Sequence, residues 1–242
     1  RLRALAAVQQ EQHMHAHGLG DADIVVLARE GKEACVQLFT FRGGRNYGNR
    51  SYFPARTEGV SDAEVIGNFI GQYYQAHPVP PMILVSHLLQ EAALLEEALR
   101  LNVDYKVEIV HPLRGDKRDA IEQALLNARE ALARHISMNV SQQAALQGVQ
   151  TLFGLEELPS RIEVYDNSHI SGAHAVGAMV VAGGEGFVKK EYRTFNIKRA
   201  DTAPGDDYAM LREVLFRRFR RLQEENDESK RPDLVLIDGG AG

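Results

Sequence analysis

The 242-residue sequence has a single cysteine, Cys35, and no tryptophan. One cysteine excludes an intramolecular disulfide and any cysteine-built zinc or iron–sulfur centre. No run of 18 or more apolar residues occurs, so no membrane-spanning helix is expected. The opening RLRALAAVQQEQ turns polar before an apolar stretch can build up, which argues against a secretory leader and makes the cytoplasm the expected setting. The GxxxxGK[ST] phosphate loop is missing, which sets aside the common nucleotide-hydrolase reading. Positive charge is not in excess either: 28 Lys and Arg against 33 Asp and Glu give a formal charge of −5. A nucleic-acid partner must therefore be sought in local clusters of cations, not in the total.

What is present suits a soluble chain with a real core. It is 44% hydrophobic and 25% charged, long enough for one large domain or two small ones. Four segments are expected: an N-terminal helix within 1–20, an α/β middle domain over 21–113, a helical connector over 114–154, and a second α/β unit over 155–242. In the middle domain, residues 23–30 and 35–42 read as strands joined by EGKE, and NRSYF as a third strand after the bend RGGRNYGNR. Ser61 and Glu64 form a capping box that starts a helix near Asp62. MILVSH, an amphipathic helix and YKVEIVHP follow. The connector reads as helix from 117 to 137 with a polar continuation towards Gly148.

The second unit reads as strands at 161–169, 172–183 and 188–197, a helix at 207–225 and a strand in DLVLIDGG. Three strands, a helix and a fourth strand open an RNase H-like fold, with the fourth strand parallel to the first and beside it. The fold class expected is α/β: an RNase H-like mixed sheet with flanking helices, preceded by a smaller α/β unit of the same element order. That smaller unit is either a second copy without carboxylates or one of many small α/β domains that share the order. In the first case Ser86 of MILVSH stands where Asp238 stands in VLIDGG. The chain stops in what reads as a strand-to-helix turn, so a fragment is expected.

Three acidic positions could carry chemistry: Asp166, the pair Asp206–Asp207, and Asp238. Asp238 before Gly also suits a turn, and Asp206 in GDD suits a helix N-cap. Asp166 is harder to explain away, because an unpaired carboxylate in a buried strand would cost several kcal/mol. Carboxylates converging from two strands and a helix start would hold Mg²⁺ or Mn²⁺, and such a site cleaves phosphodiesters. The helix at 207–225 carries Arg212, Arg217, Arg218, Arg220 and Arg221, which read either as phosphate contacts or as a solvated face paired with the following acidic residues. His169 and His174 are further ligand candidates. RGGRNYGNR, with Tyr47, reads either as a nucleic-acid backbone contact or as a plain bend.

YDNSH, EYRTFNIK, PGDDYAMLREVLFRRF and PDLVLIDGG, in this order, resemble UvrC, the nuclease subunit of bacterial nucleotide excision repair. CVQLFTFRGGRNYGNRSYFP and HPLRGDKRDAIEQALLNARE resemble the middle region of the same family, so the likeness covers essentially the whole chain. The resemblance implies a metal-dependent endonuclease that cuts damaged double-stranded DNA on the 5′ side of the lesion. It assigns the metal-binding and catalytic roles to Asp166, Asp207 and Asp238, leaving Asp206 as cap or outer partner. Among the arginines, Arg212, Arg217, Arg218 and Arg221 are the expected DNA contacts. The family's GIY-YIG nuclease motif, its UvrB-docking segment and its helix-hairpin-helix module do not occur here, so UvrB is expected to dock outside this chain, and a further histidine of the site is expected beyond Gly242. The competing expectation is a non-cleaving scaffold that binds DNA or partners.

Overall fold

ADIVVLARE and EACVQLFTFR are rich in β-branched and aromatic residues and apolar on both sides, as central strands covered on two faces must be. The structure, a computed structural model, describes residues 19–170, 173–184, 186–197 and 207–238, except the side chains of 167–170, 173–175 and 207. The helix expected at the N-terminus falls on residues outside that range.

In the first unit β1 (Ala22–Glu30), β2 (Glu33–Arg42) and β3 (Arg45–Tyr52) form an antiparallel meander. RGGRNYGNR is accordingly a hairpin turn plus strand, longer than the NRSYF strand expected. Helix α1 (Asp62–Tyr73) follows, and its capping box is present: Glu64 N–H donates to Ser61 Oγ at 3.3 Å, and Ser61 N–H to the Glu64 carboxylate at 2.9 Å. Strand β4 (Met82–Val85) runs parallel to β1, α2 (Ala92–Arg100) crosses over, and β5 (Glu108–Val110) runs parallel to β4. The sheet order is β3-β2-β1-β4-β5.

Helix α3 (Asp116–Phe153) is one uninterrupted element of 38 residues, running through the helical connector expected over 114–154 and past the polar continuation expected to reach Gly148. Its small residues Ala120, Ala124, Ala128 and Ala131, with Ile121 and Leu132, let it lie close against Ile24, Val26 and Ala28 on one face of the sheet. Val25 and Leu27 point to the other face, where α1 and α2 supply Ile66, Ile70 and Leu99. Cys35 is fully buried; burial pushes its thiol up to about 11, against the opposing pull of a Ser51 hydrogen bond and the Arg134 charge.

The chain divides into two units at Ser137–Met138, inside α3. The second unit has β6 (Arg161–Ile170) antiparallel to β7 (Ala173–Gly183), with β8 (Gly186–Phe187) and β9 (Arg193–Asn196) both paired to β7. Helix α4 (Asp207–Glu225) then leads to β10 (Leu234–Ile237), which lies parallel to β6. The expected strand over 188–197 is broken by a 3₁₀ turn at Lys189–Glu191, whose Glu191 pairs with Arg161 across the sheet edge. The sheet order β10-β6-β7 matches β4-β1-β2 of the first unit. Both are the mixed RNase H-like arrangement expected from element order. No helix among the described residues is long and apolar enough to cross a membrane.

Two glycines test this packing. A Cβ at Gly183 would stand 2.7 Å from the Ser160 carbonyl oxygen, a backbone atom that cannot step aside cheaply, whereas one at Gly67 in α1 would meet open space. Gly183→Ala should therefore lower unfolding stability by about 1–3 kcal/mol, and Gly67→Ala should raise it by up to about 1 kcal/mol, as read from urea midpoints.

Candidate metal centre

Two of the three aspartates are positioned by one ladder. β10 pairs with β6 from Leu234↔Ile162 to Ile237↔Tyr165, and the Asp238 amide donates to the Tyr165 carbonyl at 2.9 Å. That bond carries the register one step past the strand and sets Asp238 beside Asp166. Neighbouring strands lie about 4.8 Å apart, so the two residues are close neighbours at the carboxyl ends of parallel strands. Both are exposed. Asp207 is the first residue of α4. Its side chain, Asp206 and the side chains of His169 and His174 lie outside the described residues. Helix α4 packs on the sheet face that carries Tyr165, Met179 and Val181, and alternation turns Asp166 to the other face. Among the described residues no group of three or more His, Cys, Asp or Glu side chains could hold a metal ion.

The exposure of Asp166 corrects the burial argument made from its strand. The fully buried carboxylate of β6 is Glu163, three residues earlier, at 0% exposure. Its cations come from the protein. Arg218 of α4 donates Nη2 at 2.6 Å and Nε at 3.2 Å to the Glu163 carboxylate, Arg161 donates Nε at 2.9 Å, and the Tyr165 hydroxyl donates at 2.5 Å. Burial alone would raise the Glu163 carboxyl; the bonds from Arg218, Tyr165 and Arg161 outweigh it and hold the group below the ordinary glutamate range. Burial and the Glu163 charge push the Tyr165 hydroxyl up. The sequence reading missed this cluster. Its signal was the alternation R-I-E-V-Y, in which polar residues take the positions of one strand face.

Arg218 is corrected with it: at 6% exposure, bound to Glu163 and to the Lys230 carbonyl at 2.8 Å, it is no surface contact for DNA. Arg217 donates to the Asn196 carbonyl at 2.8 Å and lies over the Phe195 ring. Arg221 pairs with Glu225 at 2.7 Å and Arg220 with Glu224 at 2.9 Å, the solvated-face arrangement, though both arginine side chains stay largely exposed. Arg212 is exposed and lines an open groove on α4 with Tyr208, Leu211 and Phe216. In the first unit, Arg42 of RGGRNYGNR is held by Asp23 at 2.6 Å, while Tyr47 is 70% exposed.

The first unit repeats the site's framework without its two strand carboxylates. The Ser86 amide donates to the Val25 carbonyl at 3.3 Å, as the Asp238 amide does to Tyr165. Ser86 thus stands in the place of Asp238, and Val26, fully buried under α3, in the place of Asp166. Asp62, the first residue of α1, matches Asp207 in position. It is tied to Arg29 at 2.6 Å, while Ser86 Oγ receives the Leu27 amide at 3.1 Å and bonds His87 Nδ1 at 2.9 Å.

The family model for the UvrC ribonuclease H-like domain matches residues 21–135, and that for the UvrC RNase H endonuclease domain matches 150–242. The UvrABC system protein C of Maricaulis maris is 51% identical over the whole of this chain, and the chain covers 38% of that protein. The Caulobacter vibrioides protein of the same name is 50% identical over the whole chain, with 40% of its own length covered. The chain thus spans about two fifths of the length of these curated relatives.

The Glu163 cluster makes two measurable demands. Arg218→Ala leaves a buried carboxylate short of its main partner and should cost about 3–5 kcal/mol, whereas Arg220→Ala should change stability by no more than about 0.5 kcal/mol. Because the folded Glu163 carboxyl lies below its unfolded value, its stabilisation is complete above the ordinary glutamate pKa of about 4.3 and is lost as pH falls through the folded value. The acid limb of a stability-against-pH curve below about pH 5 should therefore be shallower in Glu163→Gln than in the parent.

Proposed function

The chain belongs to the UvrC family, and from that premise we propose that its second unit is the metal-dependent DNA-cleaving part of an excision nuclease, making the incision 5′ to a lesion. The observation that carries the reading is the register that sets Asp166 and Asp238 side by side at the carboxyl ends of β6 and β10. Two carboxylates on neighbouring strands of one ladder, whose backbones lie about 4.8 Å apart, repel one another until a cation joins them. Their oxygens are hard donors open to solvent, which fits Mg²⁺ or Mn²⁺. Asp207, at the start of α4, is the third proposed ligand, with Asp206 left as cap or outer partner. A divalent cation, when bound, supplies a water of lowered pKa and neutralises charge on the departing oxygen. The chain's own residues hold the cation and present the phosphate; Arg212 and Arg221 are the arginines of α4 still exposed enough to meet a DNA backbone. The partners proposed are damaged double-stranded DNA and, through a segment outside this chain, UvrB, in a cytoplasmic setting.

A second reading applies to the first unit. With Val26 and Ser86 where the second unit has Asp166 and Asp238, it is a scaffold that does not cleave. Nicking of a lesion-bearing duplex by the full-length protein with Mg²⁺ tests both readings. Asp166→Asn, Asp207→Asn and Asp238→Asn should each reduce 5′ nicking by about 10³-fold or more without loss of folding, and Ser86→Ala should leave it unchanged. Ordinary nicking by Asp166→Asn would defeat the site assignment. Alanine at Arg212 and Arg221 should flatten the salt dependence of DNA binding by about one unit of slope per lost phosphate contact.

A further inference from the structure

The three proposed ligands sit on three separate elements: Asp166 on β6, Asp207 at the head of α4, and Asp238 at the end of β10. The described residues join all three through one buried carboxylate. Glu163 belongs to β6; Arg218 of α4 grips it with two bonds, and the same guanidinium reaches the Lys230 carbonyl in the turn before β10. Arg161, the fourth side of the cluster, also pairs with Glu191. Asp233, at the entry to β10, accepts from Ser160 N–H at 2.7 Å and Arg161 N–H at 2.9 Å. From these contacts we propose that Glu163 is a positioning residue for the metal site, a latch that sets where α4 and β10 stand against β6. The proposal rests on the three-aspartate reading above.

Stability alone does not account for such a cluster. A buried ion pair is often no better than apolar side chains of the same volume, because desolvation offsets the attraction. What it adds is direction, since a guanidinium fork binding a carboxylate through two nitrogens admits one orientation. Arg218 lies eleven residues along the helix from Asp207, roughly 16 Å at 1.5 Å per residue, so a tilt of about 5° at the latch would move the head of α4 by roughly 1.4 Å. Displacements of that size matter at a metal centre.

The first unit contains the same device with other parts. Counting back from Val26 as Glu163 counts back from Asp166 reaches Asp23, which is 1% exposed. It accepts from the Tyr74 hydroxyl, at the end of α1, at 2.6 Å and from Arg42 at 2.6 Å. The first strand is thus tied to the following helix in both units, with two guanidiniums on the carboxylate only in the unit that has the aspartates. Asp23 supplies an internal control: a buried carboxylate of equal standing, in a unit without the proposed ligands.

The test is Mn²⁺ binding to the full-length protein, followed by the electron paramagnetic resonance signal of the free ion, beside thermal unfolding. Glu163→Gln should weaken Mn²⁺ binding by about 10-fold or more. Asp23→Asn should lower the melting temperature and leave the Mn²⁺ midpoint in place. If Glu163→Gln does not fold, Arg218→Lys keeps the charge but loses the fork, and should shift the midpoint in the same direction. A lowered melting temperature with an unmoved Mn²⁺ midpoint in the folded variant would overturn the latch. Asp166→Asn is run in parallel: if it also binds Mn²⁺ as the parent does, the metal reading itself has failed, whatever Glu163 does.

Discussion

A strand that must lie parallel to its neighbour cannot be reached by a tight turn; the chain has to cross the sheet and return, and a helix is the usual way across. That constraint organises both units. In each, the first strand is followed by an antiparallel run (β2 and β3 in the first unit, β7, β8 and β9 in the second), then by a helix on one face, and only then by the parallel neighbour. The crossover leaves the carboxyl ends of the first and fourth strands adjacent, and side chains there share an edge without any local sequence relation. Asp166 and Asp238 are 72 positions apart in the chain and one ladder step apart in the sheet.

The two units put the same framework to different ends. In the first, the face that carries Val26 is sealed by the alanine-rich stripe of α3, and the place of the second aspartate is taken by Ser86, which ties the strand end to Leu27. Neither group could bind a cation well, and Val26 has no access to solvent at all. In the second unit the corresponding face has half-buried Val164, Val180 and Leu236 among its described residues, and Asp166 stands at its open end. A shared topology with opposite burial at one position separates a sealed packing position from one open to solvent.

Much of the framework was legible in the residues. The capping box at Ser61 and Glu64 marks the head of α1, and the apolar runs of 23–30 and 35–42 joined by EGKE mark a hairpin, because these signals are local. The correspondence of Ser86 with Asp238 was legible too, since both end a short apolar strand. The Glu163 cluster was not, because its partner Arg218 is 55 positions away and one arginine among five on a helix looks like a solvated face. Helical spacing held a clue: Met210, Val214 and Arg218 recur every four residues, and the first two are core. The break at Lys189–Glu191 was hidden for the same reason, as it depends on Glu191 meeting Arg161 across the sheet.

Cys35 offers a practical consequence. Its thiol lies at zero exposure in the core between the first unit's sheet and α3, with a pKa near 11, so at neutral pH only about one molecule in ten thousand carries the nucleophilic thiolate even before access is considered. Maleimide dyes and nitroxide labels should pass it by. Within these 242 residues, a cysteine introduced on the surface would then be the reactive handle, and fluorescence or spin-label distances could be collected without first removing Cys35.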